Sequence, residues 1–145
     1  MVNLKLQLKV LSFLQFFLWG SWLNTFGSYM FITLRFKGED IGAVYSTLGI
    51  AALITSTLFG IVADKWISAK WIYAACHLFG AITLFIAASV TTPSAMFIVI
   101  LLNSLVYMPT LGLSNTISYY RLQTAGMDIV TEFPPIRIWG TIGFI

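Results

Sequence analysis

Arg137, Thr141 and Phe144 fall at i, i+4 and i+7, a spacing that puts all three on one face of a helix. A cation, a hydroxyl and an aromatic ring pointing the same way can bind a planar polar solute. The same arginine also suits a plainer role, snorkelling to the edge of a bilayer. Two more stripes carry polar or aromatic residues at helical spacing. Gln15, Trp19, Trp22, Phe26 and Tyr29 recur by alternating fours and threes, and so do Asn103, Tyr107, Thr110 and Ser114. Each stripe fits the lining of a ligand cavity and also fits a packed helix–helix interface. Ser21, Thr25 and Ser28 form a small-residue stripe whose expected role is packing, because short side chains let backbones approach. His77, beside Cys76, has no ligand partners at metal spacing and reads as a structural or interfacial residue.

The elements that must position these residues are membrane helices. From Trp71 to Tyr120 the chain holds no Asp, Glu, Lys or Arg, and Val10–Leu34 and Ile41–Ala63 are equally free of charge. A soluble domain has too little interior to hide such stretches, whereas one bilayer crossing takes about 20 apolar residues. The chain is 59% hydrophobic and only 9% charged, far from the roughly 25% charge of soluble domains. Lipid cannot satisfy the backbone of an open sheet, so the spans are expected to be helical. The fold class expected is all-α, a polytopic membrane protein with helices at about 8–34, 41–63, 71–90, 94–118 and an incomplete 136–145. The connections are then 35–40, 64–70, 91–93 and a longer 119–135, in which Pro134 and Pro135 prime the last helix.

Several functions are excluded by the same reading. The net charge of +3 is too small and too scattered for a nucleic-acid partner. A single cysteine carries no disulfide or redox signal. The first apolar stretch is too long for a signal-peptide core of about 7–15 residues, so it is a retained span. No metal motif, phosphate-binding glycine loop or nucleophile–base pair is present, which argues for neither an enzyme nor a cofactor. The last helix stops after roughly 15 Å where about 30 Å of hydrocarbon must be crossed, so the expectation is an N-terminal piece of a longer protein. The competing reading is a complete small membrane scaffold or interaction protein. Lys5, Lys9, Lys65, Lys70, Arg121 and Arg137 would lie on one side and only Arg35 and Lys37 on the other, which places the N-terminus in the cytoplasm.

The connection Gly60-Ile-Val-Ala-Asp64-Lys65-Trp-Ile-Ser-Ala-Lys70 resembles the loop between the second and third helices of the major facilitator superfamily. It departs in lacking the second glycine and in the displacement of Lys70. Longer segments are similar to the bacterial nucleoside:proton symporter family: Leu11-Ser-Phe-Leu-Gln15-Phe-Phe-Leu-Trp-Gly20-Ser-Trp22, Tyr107-Met-Pro-Thr110, Gly126-Met-Asp-Ile-Val-Thr131 and Phe133-Pro-Pro-Ile-Arg-Ile-Trp-Gly-Thr-Ile-Gly-Phe144. The resemblance covers essentially the whole chain and implies about the first third of a twelve-helix transporter. It implies proton-driven nucleoside uptake across the bacterial inner membrane, with the lipid bilayer, nucleosides and protons as partners. It also implies substrate-binding roles for Arg137, Thr141 and Phe144, and a conformational role for Gly60, Asp64, Lys65 and Lys70. Because such a site lies between two halves, this chain alone is expected to transport nothing.

Overall fold

The structure, a computed structural model, describes the backbone of residues 2–65 and 67–145 and the side chains of 3–55 and 67–145. Among the described residues the chain is helical, with no strand. Helix α1 (Val2–Ser28) continues into a π-helical turn, Tyr29–Thr33. That wider turn closes with Leu34 N–H donating to the Tyr29 carbonyl (3.2 Å) and Phe36 N–H to the Met30 carbonyl (3.0 Å). Arg35 takes the left-handed conformation between them, with φ +59°. Helix α2 (Gly38–Lys65) opens with Glu39 and Asp40, whose charge complements the positive end of the helix dipole. Helices α3 (Ala69–Ala87) and α4 (Pro93–Thr124) follow. Pro93 takes the first position of α4, where its missing N–H costs nothing, and α4 runs unbroken through Pro109. Helix α5 spans Ile129–Phe144.

The last connection is much shorter than the 119–135 expected. Helix α4 continues to Thr124 and is ended by Gly126, whose φ of +69° an L-residue would resist. Gly126 N–H donates to the Gln123 carbonyl (3.0 Å) and Met127 N–H to the Leu122 carbonyl (3.0 Å), a Schellman closure. Two residues later the Asp128 carboxylate accepts from Val130 N–H at 3.1 Å and caps α5. Pro134 and Pro135 therefore lie inside α5 instead of starting it. The expected boundaries followed loss of apolar character, which marks the hydrocarbon edge; capping chemistry sets the helix ends.

The chain divides into two compact units, residues 1–25 with 114–145, and residues 26–113. In the first, Leu8, Leu122 and Ile136 form a core flanked by Leu4, Leu11, Met127, Ile129 and Phe133. Lys5 and Glu132 form an ion pair at 2.7 Å that joins α1 to the first turn of α5. Helices α1 and α5 meet backbone to backbone. A β-carbon on Gly143 would fall within 3.0 Å of the Phe13 carbonyl, and one on Gly20 equally close to the Phe144 carbonyl. In the second unit, Met30, Phe36, Val44, Ala87, Met96 and Ile100 make the core. Polar side chains tie its helices together. Asn103 Nδ2 donates to the Gly80 carbonyl (3.1 Å) and to Thr83 Oγ1 (2.9 Å), and the Thr47 and Ser104 hydroxyls stand 3.4 Å apart.

Burial departs from that of a water-soluble protein on both sides of the surface. Gln15, Thr47, Ser104 and Thr110 are fully buried, while Leu53 and Phe85 are more than four-fifths exposed. Polar atoms satisfied inside and large apolar side chains outside is the arrangement a lipid solvent rewards. Ala69–Ala87 and Pro93–Thr124 are long and apolar enough to cross a membrane by length and composition. Helix α1 carries Gln15 and Asn24 within its apolar run, which dilutes that signal. Ser21, Thr25 and Ser28 are exposed on this chain. Ser21 donates to the Leu18 carbonyl and Thr25 to the Trp22 carbonyl, so each of these two hydroxyls is satisfied by its own helix.

Candidate binding site

The capped start of α5 sets the register that brings Phe133, Pro134, Arg137, Ile138 and Thr141 along an open groove of about 420 Å³. Arg137 and Thr141 supply its polar side and the other three an apolar wall. Arg137 is half-buried and Thr141 exposed. The guanidinium carbon stands 4.1 Å from the centroid of the Phe16 ring on α1. Stacking on a ring face satisfies a cation while leaving the N–H groups at the guanidinium edge to donate.

Phe144, expected on the same face, is half-buried and turns its ring to Trp19, edge to face with centroids 5.6 Å apart. It is not among the residues lining the groove. Trp19 also stands 6.5 Å from Phe16 in a tilted pair, so an aromatic cluster on α1 touches both ends of the Arg137–Phe144 segment. Gln15 is fully buried and Trp22 half-buried. Asn103 and Tyr107 belong to the other compact unit. Asn103 uses its amide to join α3 to α4, and Tyr107 is 8% exposed with its ring 6.1 Å from that of His77. His77 in turn meets Tyr73 at 4.4 Å, so it sits within an aromatic stack. The side chains of Gly60, Asp64 and Lys65 lie outside the described residues. Lys70 is exposed, its ammonium 5.6 Å from the Trp71 ring.

Phe133, Pro134 and Ile138 escaped the sequence reading of the groove. Phe133 is four residues before Arg137 and lies on the same helical face, a relation hidden as long as the helix was started after Pro135. Phe16 was missed because its contact with Arg137 is set by how α1 and α5 cross, and Gly140, three residues along α5 from Arg137, because a glycine has no side chain to mark a site.

The family model described as nucleoside H+ symporter matches residues 2–145. The chain belongs to that family. The chain is 78% identical over 144 residues to the nucleoside permease NupG of Escherichia coli (strain K12), covering 99% of the chain and 34% of that protein. It is 56% identical over 144 residues to the xanthosine permease of the same organism, with the same coverage. A crystal structure of the nucleoside transporter NupG superposes with a TM-score of 0.94 at 78% identity, covering 98% of this chain and 35% of that one. The chain thus spans about a third of the length of the curated relatives it matches. These relatives are permeases and transporters, not enzymes, and the chain is a membrane-embedded protein like them.

Proposed function

We propose that this chain forms the N-terminal part of a proton-coupled nucleoside importer of the bacterial inner membrane. It enters with a cytoplasmic N-terminus, crosses four times with α1 to α4 and begins a fifth crossing with α5. The whole transporter alternates between outward- and inward-open states by rocking one half against the other. Arg137 and Thr141 hydrogen-bond sugar or base oxygens of the nucleoside, and Phe144, oriented by Trp19, offers an aromatic surface to the base. Asp64 and its neighbours act on the cytoplasmic side as part of the conformational cycle.

The observation that carries this reading is the groove beside Arg137 and Thr141, in a chain with 78% identity to a nucleoside permease. One side of the groove offers directional donors and the other an apolar wall, which suits a solute with a polar edge and a flat face. The test is uptake by a full-length chimera in which residues 1–145 replace the matching segment of the E. coli nucleoside permease. Cells making it should accumulate radiolabelled uridine, and a protonophore should abolish the accumulation. A chimera that reaches the membrane at the level of the parent permease yet takes up no uridine would contradict the proposal.

A further inference from the structure

We propose that Phe16 and Gly140 are positioning residues for Arg137, together fixing the plane in which its guanidinium meets the solute. The inference rests on the proposed nucleoside-binding role of Arg137 and goes beyond it by naming what holds the arginine still. Arg137 has four flexible side-chain bonds, and at the edge of a bilayer its easiest course is to extend toward headgroups. Here it folds back instead, its guanidinium carbon 4.1 Å from the Phe16 centroid.

Gly140 makes room for that conformation. A β-carbon built on Gly140 would stand 2.6 Å from Arg137 Nη1, 2.7 Å from Phe16 Cδ2 and 2.9 Å from Ser12 Oγ. The arginine therefore lies in a notch floored by the bare backbone of α5 and walled by α1. The contrast with the other glycines of this crossing is informative. At Gly143 and Gly20 a side chain would strike backbone atoms of the opposite helix, so those glycines set the helix approach. At Gly140 it would strike side chains instead: the tip of Arg137, the Phe16 ring and the Ser12 hydroxyl. Alanine there presses on the guanidinium and on the ring it stacks against, so it disturbs the stack directly.

Uridine affinity of the full-length chimera, purified in detergent, tests the inference. Phe16→Leu keeps an apolar side chain but removes the ring face, and is expected to weaken binding about fivefold, while Phe16→Tyr stays within about twofold of the parent. Gly140→Ala is expected to weaken binding by a similar factor with unchanged membrane level. In an Arg137→Lys background, which lacks the planar fork, Phe16→Leu should cost less than about twofold more, because the two residues act through one contact. If Arg137→Lys weakens binding but Phe16→Leu and Gly140→Ala both bind like the parent, the positioning role is wrong and the arginine still binds. If Phe16→Leu costs the same in both backgrounds, Phe16 acts elsewhere and the inference is overturned. If Arg137→Lys binds like the parent, the ligand role itself fails and takes this inference with it.

Discussion

Gly143 of α5 lies against the backbone carbonyl of Phe13 on α1 so closely that a side chain on it has no room. Any Cβ there must push α5 off α1. The same crossing holds the Arg137–Phe16 stack and the Trp19–Phe144 pair, so the closeness of two backbones is what assembles the candidate site.

Gly143→Ala is expected to lower the stability of the full-length chimera by about 1–3 kcal/mol, the usual cost of overpacking a closed interface. Thermal aggregation of detergent-solubilised protein measures it. A melting temperature equal to that of the parent would show that the helices separate freely at this point.

The amide of Asn103 joins α3 to α4 through Gly80 and Thr83. Asn103→Ala is expected to cost about 0.5–2 kcal/mol, the range found for hydrogen bonds between membrane helices. A double-mutant cycle with Thr83→Val should show positive coupling, whereas strictly additive losses would mean that the bond to Thr83 contributes nothing.

Much of this architecture is readable in the sequence, and the parts that are not have two separate causes. The 3.6-residue spacing places Arg137 and Thr141 together, and charge-free stretches locate the helices. Spacing also puts Phe144 on that face, yet its ring goes to Trp19, because side-chain direction is decided by the partner helix. Gly126 and Asp128 announce a helix end and a helix start in local chemistry alone. They were outweighed by hydrophobicity, which follows the thickness of hydrocarbon and not the length of the helix. The notch at Gly140 depends on Ser12 and Phe16, residues far away in sequence, and no local pattern contains it.

The membrane orientation is open to a direct check. With Cys76, which is buried, replaced by alanine, Gly38→Cys should react with an impermeant thiol reagent in intact cells. Ser68→Cys should react only after lysis. Both positions are exposed, so lack of access reports the side of the membrane. The opposite pattern would reverse the assignment.

The proposed role of the groove beside α5 is to bind a nucleoside through Arg137. Equilibrium binding of radiolabelled uridine to the full-length chimera and its Arg137→Lys variant addresses it most directly. Lysine keeps the charge and can snorkel as well as arginine, but it lacks the planar fork. Loss of directional hydrogen bonds to a bound solute costs about 1.5–3 kcal/mol, so affinity should fall at least about tenfold. Arg137→Lys binding uridine as tightly as the parent, at matched expression, would contradict the account and leave Arg137 as a membrane anchor.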